Sequence, residues 1–163
     1  MLHGVLRKKG LFEMDETYKF DKLVGEECGV RVCAGECAFW RSGLTTQYIR
    51  GLQCWTLCPG INGISSPIVM WYFNPWGDKT FDTTPSPEHP NILQPTRERA
   101  ICEYIIFREY FSEGILIEGL QTYIRETDNY RERLHEAMTH IPLQKHDWLD
   151  YWIQEALEDT QEG

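Results

Sequence analysis

The chain has 163 residues, of which 42% are hydrophobic, with six Trp, eight Tyr and seven Phe, and its formal net charge is -9. Aromatic content of that order excludes a disordered chain, because burying the rings offsets the entropy of ordering the backbone, and the length suits one domain with a sizeable core. The acidity sits in residues 97–163, with fifteen Asp and Glu against seven Lys and Arg, a net of -8; such a surface repels phosphate, which argues against unaided nucleic-acid binding and leaves a basic protein partner or plain solvated helix faces.

Arg7-Lys8-Lys9 is not followed by the apolar core of a signal peptide, and no run of 18 apolar residues occurs. The expected location is therefore the cytoplasm, with no membrane contact and with the cysteines reduced. Gly10 marks a turn within residues 1–20, whose flanking apolar residues suggest a short strand or hairpin. Asp21 can cap a short helix over 22–27, and Val30 and Val32 alternate with polar neighbours as in a brief strand that Gly35 breaks. Ala38 to Trp40 read as a short helix with Gly43 as its left-handed cap. From Tyr48 to Phe73 the texture is that of strands. A run from Tyr48 to Leu57 and another from Pro67 to Phe73 flank Asn62-Gly63, a strong hairpin signal. The second run is apolar throughout and reads as a central strand covered on both faces. Residues 74–90 contain Pro75, Pro85, Pro87 and Pro90 and read as a long surface loop, with Thr80 and Phe81 pairing briefly. Ile92 and Leu93 add a last strand. Helices are predicted to begin near residues 37, 96, 113, 128 and 147, the third capped by Ser112 and the fourth ended by Pro142. Together these elements predict a single α+β domain over 1–163. Its small mixed or antiparallel sheet lies in a strand-rich part, 1–93, and packs against helices gathered in 94–163.

The helix near residue 96 has the best-defined start. Pro95 keeps Gln94 out of a helix, Thr96 can cap the amides that follow with its hydroxyl, and Glu98 sits in the first turn, where the helix dipole favours an anion. Upstream, the segment 36–47 contains Ala38, Gly43, Leu44 and Thr45, a short helix ending in Gly-Leu-Thr. A strand-rich middle then leads to Thr-x-Glu-Arg-Ala at Thr96, Glu98, Arg99 and Ala100. This order and spacing resemble the core domain of the AbiEi family, the antitoxins of type IV toxin–antitoxin systems. There the first segment looks like Ala-Leu-x-x-x-Gly-Leu-Thr and the second like Ser-Pro-Glu-Arg-Ala. The resemblance spans roughly residues 36–141, and Arg97 stands where the family usually has proline. It implies a non-catalytic domain that counteracts a nucleotidyltransferase toxin. In that family a winged helix-turn-helix usually precedes the core, and only something like its last strand fits into residues 1–20. The DNA-reading module, and with it operon autoregulation, is therefore expected to be lacking.

Cys33-x3-Cys37 and Cys54-x3-Cys58 are two pairs at the loose end of zinc-ligand spacing. Cys54 and Cys58 fall in a predicted strand, however, where residues four apart stand roughly 13 Å from each other. Buried free thiols are the preferred reading, and no cofactor is expected. Histidines 3, 89, 135, 140 and 146 are scattered, which disfavours a Cys–His nucleophile. No Gly-rich phosphate loop and no His-Glu-x-x-His occurs, and the Gly-Ser with Asp-x-Asp that a nucleotidyltransferase toxin needs is absent from the sequence. The carboxylates Glu98, Glu103, Glu113 and Glu118 read as solvated helix faces. Candidate partner-binding residues are Glu98 and Arg99, which match the family motif, together with Trp76 and Asp78 in the Pro-rich loop. For Arg99 a structural ion pair tying the central helix to the sheet edge is preferred to a partner contact. The alternative function is a stand-alone acidic inhibitor of phage or mobile-element origin, whose helices cover a basic surface of a nuclease or other nucleic-acid enzyme.

Overall fold

A computed structural model of the chain describes residues 31–49, 51–61, 69–86 and 91–162, with side chains to Asp159. The strand, hairpin or helix expected in residues 1–27 and the Asn62-Gly63 turn lie outside these. Five strands and five helices of four or more residues or recorded pairing follow in order: β1 Arg31–Val32, α1 Gly35–Arg41, β2 Leu52–Thr56, β3 Val69–Phe73, β4 Thr83–Pro85, β5 Ile92–Pro95, α2 Arg97–Ile106, α3 Glu113–Glu126, α4 Tyr130–Thr139 and α5 His146–Glu162. The strands come first and the helices gather after them, so the molecule is α+β. No helix among the described residues is long and apolar enough to cross a membrane.

The strands form two small sheets. In one, β5 is central: β1 pairs with it in parallel through Arg31–Ile92 and Val32–Leu93, and β4 pairs with it antiparallel through Thr83–Pro95, Thr84–Gln94 and Pro85–Leu93. In the other, β2 and β3 run parallel, in register from Leu52–Val69 to Thr56–Phe73. A two-residue hairpin at Asn62-Gly63 would have made that pair antiparallel, so the hairpin expectation is corrected. A parallel pair needs a crossover of about a dozen residues, and the interval between Thr56 and Val69 supplies it, opening with a 3-10 turn at Pro59–Ile61. β3 is also not a doubly covered strand: Val69 is buried and the four residues after it are only half-buried. Its aromatic side chains spread over neighbours instead, Arg31 lying 5.7 Å over the Trp71 ring and Tyr110 stacking on Tyr72 at 5.5 Å.

The Pro-rich loop departs from expectation as well. Asn74 and Trp76 are buried, not at the surface. Asn74 folds the turn by accepting the Trp76 amide at Oδ1 (3.0 Å) and the Gly77 amide at its carbonyl (2.9 Å). The pairing expected at Thr80 and Phe81 occurs at Thr83–Pro85, where two β-branched threonines suit an extended edge.

The helices begin where local chemistry sets them. Thr96 Oγ1 accepts from the Arg99 amide (3.1 Å), and Ser112 Oγ accepts from the Ile115 amide (3.3 Å). α2 is the centre of the molecule and packs on α1, α3, α4, α5 and β5. Ile101, Tyr104 and Ile105 of α2, Leu116 and Leu120 of α3, Leu134 of α4 and Leu149 and Ile153 of α5 are wholly buried. Each such aliphatic side chain contributes about 1.5–3 kcal/mol by leaving water. Phe39 of α1 reaches α3 at Gly119, where its ring atom Cε2 would stand 2.4 Å from any Cβ.

That contact sets an expectation. Gly119→Ala is expected to lose about 1–3 kcal/mol of stability in urea denaturation, because Phe39 has to leave its packed position. Gly114→Ala, where the nearest atom to a new Cβ is 3.6 Å away, is expected to be neutral or to gain about 0.5 kcal/mol from helix propensity. Equal stability of the two variants would mean that the α1–α3 approach is looser than described.

Candidate functional site

On α2, Arg99 and Glu103 are one helical turn apart on the inward face, with side chains 0% and 1% exposed. Burying a carboxylate is tolerable only when its lone pairs are matched, and Glu103 is matched fully. Oε1 accepts from Trp55 Nε1 (3.2 Å), and Oε2 accepts from Trp76 Nε1 (2.7 Å) and Asn74 Nδ2 (3.2 Å). Arg99 Nε stands 3.2 Å from Oε1 as a coulombic partner. The same guanidinium donates through Nη1 to the carbonyls of Lys79 (2.7 Å) and Phe81 (2.6 Å) and lies 4.1 Å over the Phe81 ring. One ion pair therefore ties α2 to β2, to the turn after β3 and to the segment before β4.

A second carboxylate holds the segment after α1. Glu118 of α3 accepts from Thr45 Oγ1 (2.6 Å), the Thr46 amide (3.2 Å) and Thr46 Oγ1 (3.2 Å). Burial pushes this carboxyl upward, but the bonds from Thr45, Thr46 and Gln47 outweigh it and hold Glu118 below the usual carboxylate range. Arg97 reaches the same place from the start of α2, donating from Nε to the Ser42 carbonyl (2.9 Å) and from Nη1 to Glu126 (2.7 Å). Gln94 Nε2 adds a bond to the Ala38 carbonyl (3.2 Å). Arg97, within Thr-x-Glu-Arg-Ala, thus bonds the Ser42 carbonyl that immediately precedes Gly-Leu-Thr.

Outside this frame an open cleft of about 190 Å³ lies between the start of α2, the end of α4 and Asp82, lined by Asp82, Thr96, Glu98, Arg133, Glu136, Ala137 and His140. Tyr123 donates its hydroxyl to Glu98 Oε2 (2.5 Å), and Arg133 Nη2 is 3.2 Å from the same oxygen. Burial first, and then the bond to Glu98, pushes the Tyr123 hydroxyl well above its ordinary value, so it is a fixed donor and not a base. His140 Nδ1 is 2.8 Å from Asp82 Oδ2, and that hydrogen bond and charge hold its imidazolium proton more tightly than usual. The lining hydroxyl, Thr96, is occupied in capping α2. The cleft thus presents charged and hydrogen-bonding groups, several of them already bonded to one another.

The predicted site residues separate into those at the surface and those in the frame. Glu98 lines the cleft and Asp78 is exposed. Arg99 and Trp76 are buried and bonded within the chain, so neither presents a side chain to a partner, which corrects their place among the contact residues. Glu103 and Glu118 are not solvated helix faces either, since the first is the buried anchor and the second the clasp on Thr45 and Thr46. Glu103 carried a usable signal: it is the acid four residues after Arg99 in an otherwise apolar run, the spacing of an inward-facing helical ion pair. Cys33, Cys37 and Cys54 are buried while Cys58 is exposed, so the four do not share one ligand position. Among the described residues no group of three or more His, Cys, Asp or Glu is placed to hold a metal ion. Sequence reasoning also missed that His135 of α4 bridges to α5, its Nδ1 lying 2.7 Å from His146 Nδ1 and its Nε2 2.7 Å from Asp150. Comparison with models of known protein families and with curated proteins gives no match for the chain.

Two outcomes are expected from this geometry. Glu103→Gln leaves Arg99 as a buried charge without its counter-ion and is expected to cost about 3–5 kcal/mol in urea denaturation. The double variant Arg99→Met, Glu103→Leu is expected to cost less than the sum of the single changes, as a double-mutant cycle will measure. His140, whose proton affinity is raised in the folded state, contributes stability that is present below its unfolded value near pH 6.5 and fades as pH rises through the higher folded one. In Asp82→Asn its titration, followed by NMR, is expected to fall back toward about 6.5.

Proposed function

We propose that this chain acts by binding and not by catalysis, as an antitoxin-like domain that counteracts a nucleotidyltransferase toxin by covering a basic surface of it in the cytoplasm. The observation that carries this reading is the acidic exterior of α3, α4 and α5. Glu126, Asp128, Glu132, Glu136, Asp147 and Glu158 are exposed there. The neighbouring cations Arg131 and Arg133 are turned onto carboxylates of the chain itself, Asp150 (3.6 Å) and Glu98 (3.2 Å). Fields of one sign steer a partner of the other sign and reject phosphate. The resemblance to the AbiEi core names the partner class, and contact between the two matching segments, through Arg97 and Gln94, supports treating them as one architectural unit. Taken without the resemblance, the same acidic surface favours a second reading, a stand-alone inhibitor that occupies the nucleic-acid site of a nuclease.

Co-expression with a type IV nucleotidyltransferase toxin tests the first reading, with relief of growth arrest and a co-purifying complex as the expected outcome. Neither rescue nor complex would overturn it. Glu132→Lys with Glu136→Lys is expected to weaken the complex about tenfold at low salt, and by less as ionic strength rises. Tight, steeply salt-dependent binding to a nuclease in place of the toxin would select the second reading.

A further inference from the structure

The two sheets are bridged where Cys33, just beyond β1, faces Cys54 of β2 across an isolated antiparallel bridge. The bonds around it define which kind of pair this is. The Ala34 amide donates to the Gln53 carbonyl (2.8 Å), while the Cys33 amide donates elsewhere, to the Leu93 carbonyl of β5 (2.9 Å). Cys33 and Cys54 therefore exchange no backbone bond with each other and form the narrow type of antiparallel pair, in which Cα atoms stand about 4.5 Å apart and side chains project to the same face. That separation is at the short end of the range a disulfide spans, about 4.4–6.8 Å. Both are wholly buried thiols in no disulfide, and Cys37, at the first turn of α1, is a third buried thiol beside Cys33.

We propose that Cys33 and Cys54 are an oxidisable dithiol pair whose disulfide, when closed, welds the sheet of β1, β5 and β4 to that of β2 and β3. The co-reactant is a small disulfide such as oxidised glutathione. One cysteine thiolate attacks a sulfur of the small disulfide, forming a mixed disulfide and expelling one glutathione thiolate, which takes up the proton. The second cysteine then attacks the protein-bound sulfur, closes the Cys33–Cys54 bond and expels the second glutathione. The two protein sulfurs give up two electrons, and the small disulfide is reduced to two thiols. Burial raises the Cys33 thiol well above its ordinary value, and Cys37 raises it further, so thiolate is scarce in the closed fold. The bond is made as the chain folds or when this junction opens, and once made it is sheltered from reduction. Cys37 is the competing partner, since it touches Cys33 from the helix side.

The test uses the full chain in glutathione buffers of graded ratio, both kept native and refolded from urea, with remaining thiols alkylated under denaturing conditions and the peptides mapped by mass. The expected result is loss of two of the six thiols, a cross-linked peptide joining Cys33 to Cys54, and a melting temperature higher by about 10 °C. Cys37→Ser is expected to retain the cross-link and Cys54→Ser to lose it. Refolding should close the bond more than tenfold faster than incubation of the native protein. Six alkylated thiols at every ratio would overturn the proposal, as would a cross-link joining Cys33 to Cys37 or one involving Cys58.

Discussion

A carboxylate wholly withdrawn from water holds this structure together. Glu103 sits on the central helix, and its oxygens are met by the Trp55 indole of β2, by the Trp76 indole and Asn74 amide of the turn after β3, and by the Arg99 guanidinium, which also bonds the segment before β4. A charge in an apolar interior is stable only in the one arrangement that supplies all of its partners. Hydrophobic burial alone would tolerate several placements of α2 against the small sheets, because apolar contact is non-directional. The directional bonds at Glu103 and Arg99 select one. They also account for the Pro-rich segment, whose backbone carbonyls at Lys79 and Phe81 are needed as acceptors for Arg99 and so cannot remain a free loop.

Of the seven cations in residues 97–163, four lie against carboxylates: Arg99 inside the core, and Arg97, Arg131 and Arg133 nearer the surface. The surplus carboxylates face water on α3, α4 and α5. The acidic surface reflects the net charge of -8 already present in residues 97–163, since each ion pair uses one carboxylate for every cation. The cleft beside it is lined by Glu98, which accepts from the buried Tyr123 hydroxyl, and by His140 and Asp82, which bond each other.

The segments around Gly43-Leu44-Thr45 and Thr96-x-Glu98-Arg99-Ala100 are each anchored by named side chains. Threonines 45 and 46 close on Glu118, and Arg97 reaches across to the Ser42 carbonyl. Glu98 and Arg99, adjacent in sequence, point to opposite environments, one to the cleft and one to the core. A short motif of this kind combines a packing residue with a surface residue, and mutation of the two will not report on the same property.

By itself the sequence determined what depends on near neighbours. Pro95 with Thr96, and Ser112, set the starts of α2 and α3, because a cap is a bond between residues three apart in the chain. Gly43, at φ +77°, turns the chain after α1 for the same local reason. The separation of strands from helices, and the concentration of acid in the second half, were legible in periodicity and composition. Only the tertiary structure decided the parallel pairing of β2 with β3, the burial of Trp76, the passage of Glu103 from an ordinary helical acid to the anchor of the core, and the meeting of Cys33 with Cys54. Each of these depends on a partner tens of residues away, and side-chain identity along the chain carries no measure of such a distance until the chain has closed on itself.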